Sequence, residues 1–322
     1  MLTGKIKGSR GDIPLSRLIM GSYTLGSYIP EDQSFKILDK YFELGGRTLD
    51  TARSYSGDLK NGDSKGERTI GRFIRNNNIR DQITLITKGG YPELRDMHTS
   101  RMTPDCIRYD INTSLAVMDV DYVDVWFYHR DDEAIPVGEL VDEANELIED
   151  GLTRAVGVSN WTVKRIAAAN EYAAKHNKIP FVTSELQWNM ASFTPDMMAD
   201  KTMLAMYPEE YKWYKDNNFS VMAYTSQAVG FFAKYPVSGM DGLNPRALAF
   251  ATPQNKKRAL FAAECAKKIG CSPSAFALAY ITNNDVDGYA VIASSKLSQL
   301  EASMEAADLI IDKDLIRQID AI

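Results

Sequence analysis

The sequence predicts an α/β fold of the (β/α)8 TIM-barrel class, on three observations. Short β-branched or aromatic runs alternate with longer stretches of helical spacing, which implies a parallel sheet with right-handed crossovers. No Gly-x-Gly-x-x-Gly follows an early run, so the usual dinucleotide-binding doubly wound sheet lacks its fingerprint. Polar residues close nearly every run: Asp50, Lys88, His129, Ser159 with Asn160, Gln187, Tyr224, and Ser294 with Ser295. A barrel gathers such strand ends onto one face, whereas an open sheet strings them along a line.

Taken in order, strands are expected at 18–21, 47–51, 83–88, 122–129, 155–159, 181–187, 220–224 and 288–294. Helical spacing occupies 34–44, 67–75, 103–117, 137–149, 162–176, 259–269 and 274–282, and residues 312–322 read as a terminal amphipathic helix. Thr103-Pro104-Asp105, Asn244-Pro245 and Ser272-Pro273 are helix starts, each a capping side chain followed by proline in the first turn. Gly45, Gly151 and Gly270 close helices, where a left-handed residue is useful. Segments 89–102, 190–208 and 229–255 exceed ordinary loop length and are expected to wall the site. At 322 residues, the whole of 1–322 is expected to be one barrel domain, about 250 residues plus insertions.

Composition excludes several function classes. Hydrophobic residues make up 44% and charged residues 25%, which suits a large buried core rather than disorder. A net charge of −6 argues against nucleic acid as partner. No apolar run approaches the roughly 20 residues of a membrane span, and the basic start lacks the apolar stretch of a signal peptide. Cys106, Cys265 and Cys271 are an odd set without Cys-x-x-Cys spacing, so they read as reduced, mostly buried thiols of a cytoplasmic protein. No metal site is expected.

Four residues carry the chemistry. Asp50, Lys88 and His129 end successive strands, and Tyr55 lies in the loop after the first of these. A lysine closing an apolar strand needs a counter-ion, which Asp50 can supply. An ammonium beside a phenol favours the phenolate and lowers the cost of releasing its proton. A histidine at the same rim can hydrogen-bond a carbonyl oxygen or relay a proton. Singly, each has an ordinary role as a cap, a solvated charge, a loop aromatic or a structural histidine; the four together point to a general acid with electrostatic support.

Gly46-Arg47-Thr48-Leu49-Asp50-Thr51-Ala52, with Tyr55, Gly66-Glu67 and Ile70-Gly71, resembles the first signature of the aldo-keto reductase superfamily. Lys88 and His129 fall at its remaining tetrad positions, and the resemblance extends from about residue 18 to about residue 308. It implies that NADPH, with NADH as the second choice, gives a hydride to an aldehyde, ketone or sugar carbonyl, or takes one from the alcohol. Tyr55 would then be the proton donor.

The resemblance also implies a cofactor site. Ser159 and Asn160 would hold the carboxamide, with Glu185 standing where glutamine is usual; a carboxylate accepts there but cannot donate. Tyr224 would stack on the nicotinamide, and Thr225, Ser226, Gln227 and Ala228 would follow the pyrophosphate. Ser294, Ser295, Lys296, Gln299 and Ser303 resemble the adenosine-phosphate segment, with Lys296 as cation for a 2′-phosphate. There Ala293-Ser294 replaces the usual Pro-Gly or Pro-Lys. Tyr23, Tyr91, Trp161 and Trp188 are candidate substrate-pocket aromatics, while Trp126 and Phe127 read as barrel packing. Two other classes stay open: a cofactor-binding regulatory subunit resembling potassium-channel beta subunits, and an unrelated barrel enzyme such as a phosphate-binding isomerase or aldolase.

Overall fold

A computed structural model of the chain describes residues 1–59, 64–198 and 200–322. It opens with an antiparallel hairpin, β1 (Thr3–Gly8) and β2 (Gly11–Ser16). Eight parallel strands follow: β3 (Leu18–Gly21), β4 (Thr48–Asp50), β5 (Thr84–Gly89), β6 (Val123–Tyr128), β7 (Thr153–Ser159), β8 (Thr183–Gln187), β9 (Ser220–Tyr224) and β10 (Gly288–Ile292). They close in sequence order, with β10 pairing both β9 and β3. The expected (β/α)8 barrel is the observed one.

Strand alternation sorts the side chains into two cores, because successive residues of a strand face opposite ways. Leu49, Leu85, Trp126, Tyr128, Val156, Val158, Leu186, Val221 and Ala223 face outward and pack beneath the helices. Ile19, Ile86, Val125, Phe127, Ala155, Met222 and Tyr289 face inward and fill the barrel. Ile6, Ile13 and Leu15 of the hairpin join this inner cluster, so the hairpin floors the barrel at the amino ends of its strands. Asp50, Lys88, His129, Ser159, Glu185 and Tyr224 continue the inward-facing series at the carboxyl ends.

Ser272 and Asn244 cap their helices as expected, each side chain accepting a backbone N–H three residues on. Thr103 occupies its cap position without such a bond. Gly45, Gly151 and Gly270 all have positive φ. Segment 229–255, expected to be loop, contains two short helices, Phe231–Ser238 and Pro245–Leu248. Helix Lys313–Asp320 matches the expected amphipathic tail. Cys265 is buried, but Cys106 and Cys271 are only half-buried, which corrects the expectation of mostly buried thiols. No helix among the described residues is long and apolar enough to cross a membrane.

Candidate active site

A cavity of about 930 Å³ opens at the carboxyl ends of the strands. Beneath its floor, behind the lining residues Asp50 and Tyr55, fully buried Lys88 makes three hydrogen bonds. Its Nζ donates to Asp50 Oδ1 at 2.5 Å, to the Thr51 carbonyl at 3.0 Å and to the Tyr55 hydroxyl at 3.0 Å. The structure therefore joins three of the four expected residues into one network, with Tyr55 between Lys88 and the open cavity. Burial alone would discharge the lysine, but the charge of Asp50 and its hydrogen bond outweigh burial and raise its pKa, so it stays an ammonium.

His129 completes the quartet without bonding to it directly. Its ring meets that of Tyr55 edge-on at 5.9 Å, and Nδ1 lies 3.3 Å from the Ser54 hydroxyl. Burial, then the charges of Arg130 and Lys88, hold its pKa well below the usual imidazole range. A neutral imidazole results, suited to donating a hydrogen bond rather than to storing a proton. For Tyr55 the expected direction is reversed: Lys88 does lower its pKa, but burial outweighs it and the phenol is raised overall. The phenol thus holds its proton firmly until charge develops beside it.

The expected cofactor residues divide. Ser159, Asn160, Glu185, Tyr224, Thr225, Ser226, Gln227, Ser294, Gln299 and Ser303 line the cavity. The Tyr224 hydroxyl donates to Asn160 Oδ1 at 2.7 Å, which fixes the ring against the wall. Gln227 Nε2 donates to Ser274 and Ser303, tying the turn after β9 to two helices. Ala228 is buried behind that turn instead of lining it, and Ser295 and Lys296 stand exposed at the start of helix Leu297–Met304, outside the lining.

Of the four aromatic candidates, Tyr23 and Tyr91 line the cavity. Tyr23 stacks on Tyr28 at 5.7 Å and meets Tyr55 edge-on at 5.5 Å, while Tyr91 lies 4.9 Å from His129 beneath the Arg130 guanidinium. Trp161 and Trp188 do not line it. Trp161 is buried against Tyr128 and Phe181 and donates to the Arg130 carbonyl, and Trp188 packs on Tyr280. Both lie just past the ends of their strands and are buried in the packing around the wall rather than in the lining.

Sequence reasoning missed Ser54, Arg130, Lys234 and Arg246, all in the lining. Ser54 and Arg130 each adjoin a tetrad residue, and that adjacency was the signal available. Lys234 and Arg246 come from the long segment 229–255, which left no trace of where its cations would fold.

A (β/α)8 barrel with a buried carboxylate, ammonium and phenol converging on its carboxyl face defines an enzyme site. The chain belongs to the aldo/keto reductase family, which it matches over residues 17–322. It is thus an oxidoreductase of the carbonyl–alcohol class, and the unrelated isomerase or aldolase is set aside. An aryl-alcohol dehydrogenase of Pestalotiopsis microspora is 25% identical over 96% of this chain and 79% of its own length. Norsolorinic acid reductase of Emericella nidulans is 23% identical over 96% of this chain and 78% of its own. A Saccharomyces cerevisiae protein that bears an aryl-alcohol dehydrogenase name is 27% identical, but the match spans only 52% of that protein's length.

Proposed function

We propose that this chain reduces an aldehyde or ketone attached to an aromatic ring, using NADPH, and that Tyr55 gives the proton. The carrying observation is Tyr55 itself, held at 3.0 Å by the Lys88 ammonium at the floor of an aromatic-rimmed cavity. When bound, the nicotinamide supplies the hydride. Lys88 stabilises the phenolate that forms as Tyr55 releases its proton to the nascent alkoxide, and Asp50 keeps Lys88 charged and in place. His129 donates to the carbonyl oxygen, with Ser54 fixing its ring. Tyr23 and Tyr91 flank the reacting carbon with faces that suit a planar substrate, and the aryl-alcohol dehydrogenase names of relatives agree with that choice.

The residues fit a dinucleotide. The cavity volume, about 930 Å³, lies toward the upper end of the usual range for ligand sites, about 300–1,000 Å³. Ser294 Oγ is buried without a hydrogen-bond partner among the described residues, next to the start of helix Leu297–Met304. Lys234 and Arg246 bring cations into the lining. Ser159 and Asn160 would face the carboxamide and Tyr224 the ring. Lys234 and Arg246 take over from Lys296 as the cations for phosphate. The three cysteines are free thiols, in keeping with a reduced, cytoplasmic protein.

A panel of aryl and aliphatic aldehydes, ketones and sugars, followed by NADPH absorbance, tests the activity. Tyr55→Phe should lower kcat by about 10²–10⁴-fold and leave NADPH binding intact. Wild-type turnover in that variant would refute the proton role. NADPH binding with no turnover on any substrate would favour the regulatory-subunit class.

A further inference from the structure

Glu185 ends up in a place where charge and hydrogen-bond counting disagree with an ordinary carboxylate. It faces inward from β8 and lines the cavity, yet is only 2% exposed. Its Oε2 lies 3.4 Å from Lys88 Nζ. An ammonium has three N–H donors, and those of Lys88 go to Asp50, Thr51 and Tyr55. Four acceptors therefore surround three donors, and Glu185 Oε2 is left without a hydrogen-bond partner among the described residues. With both carboxyls ionised the buried cluster would also carry a net negative charge, which is costly in a dry site.

Every charged or titratable group that acts on this carboxyl points the same way or is already engaged. Asp50, across the floor on β4, repels its charge. Lys88 on β5 attracts it but is saturated. Arg130, beyond β6, also attracts it, but its guanidinium donates to Thr202 and the His129 carbonyl and pairs with Asp200. Tyr55 and Tyr224 are phenols held in their neutral form by burial, and His129 is a neutral imidazole.

We propose that Glu185 is a positioning residue that carries a proton at neutral pH, donates it as a hydrogen bond to the ligand's amide oxygen, and on losing it draws Lys88 away from Tyr55. A protonated carboxyl has one donor and one acceptor, like the side-chain amide of glutamine, so it can face a carboxamide with both. Once ionised, it loses the donor and becomes a fourth anionic or dipolar claimant on Lys88. Burial, and then the Asp50 charge, push the carboxyl up to about 8, which places the switch within the working range of an enzyme. The inference rests on the cavity being a nicotinamide site.

The test compares wild type with Glu185→Gln, and with Glu185→Met as a second variant lacking the amide. NADPH affinity is measured by tryptophan fluorescence quenching from about pH 6 to 9.5, and the carboxylic-acid carbonyl band of the ligand-free proteins by infrared difference spectroscopy. Wild-type affinity should fall up to tenfold per pH unit above about 8, while that of Glu185→Gln stays flat across the range. All three spectra should lose the Glu143 carboxyl band near pH 7, and wild type alone should lose a second protonated-carboxyl band near pH 8 that neither variant shows. An unchanged alkaline fall in Glu185→Gln, or no such band in wild type, would overturn the proposal. If neither protein binds NADPH, the functional reading fails, and the infrared titration still decides where the proton sits.

Discussion

Lys88 is enclosed completely, and its charge is held by one carboxylate at 2.5 Å. Such a pair contributes little net stability over an apolar one, yet breaking it is expensive because the survivor is buried alone. Lys88→Met should therefore cost about 3–5 kcal/mol in denaturant unfolding near neutral pH, with a smaller loss in acid where Asp50 can protonate. A cost near zero would mean that Asp50 is not held ionised by Lys88. The tetrad was legible because its members end strands whose inward positions alternate: Ile86 then Lys88, Phe127 then His129. The protonation of Tyr55 was not, since spacing shows the neighbouring charge but not how much water burial removes. Trp161 and Trp188 misled for a related reason, because both lie past the last residue of their strands, where strand alternation no longer fixes which way a side chain faces.

At the scale of elements, the eight barrel strands were readable to within two residues, and their order around the barrel followed from the chain. The basic end of the cavity was not. Lys296, named by the resemblance as the phosphate cation, stands just past the bend at Ser295 and outside the lining. Lys234 and Arg246 reach the lining because Thr225, Ala228 and Val229 all adopt positive φ, a run that turns the segment after β9 back over the cavity. Propensity gives no hint of left-handed threonine, alanine and valine, which only tertiary packing can enforce. Arg246→Ala should weaken NADPH binding by about 1.5–3 kcal/mol, and Lys296→Ala by far less, as measured by calorimetry. The reverse order would return the phosphate to the end of β10.

For the molecule as a whole, stability should depend on pH through a carboxyl buried outside the cavity lining. Glu143, on helix Val137–Glu149, accepts from the Tyr128 hydroxyl through Oε2, and Oε1 is buried without a partner among the described residues. Burial pushes it up to about 7, above its unfolded value of 4.5. A raised acid favours folding while both states are protonated, and that advantage is lost as pH rises from about 4.5 through about 7. Glu143→Gln should accordingly gain on the order of 1–3 kcal/mol over wild type at alkaline pH and nothing in acid. Thermal melts across pH check this; a gain independent of pH would mean packing, not charge. The barrel itself was legible at this scale, but its floor was not. Strand β1 reads Thr-Gly-Lys-Ile-Lys-Gly, too polar and glycine-rich to mark as structure until Ile6 is seen against the inner core.

That floor governs traffic. With Ile6, Ile13 and Leu15 sealing the amino end of the barrel, the cavity has its doorway on the opposite face, and whatever enters must depart by the same route. Two ligands that share one doorway form a queue. Were a second ligand to sit above a first, the deeper one would have to enter first and leave last, an order imposed by a small hairpin at the far end of the barrel.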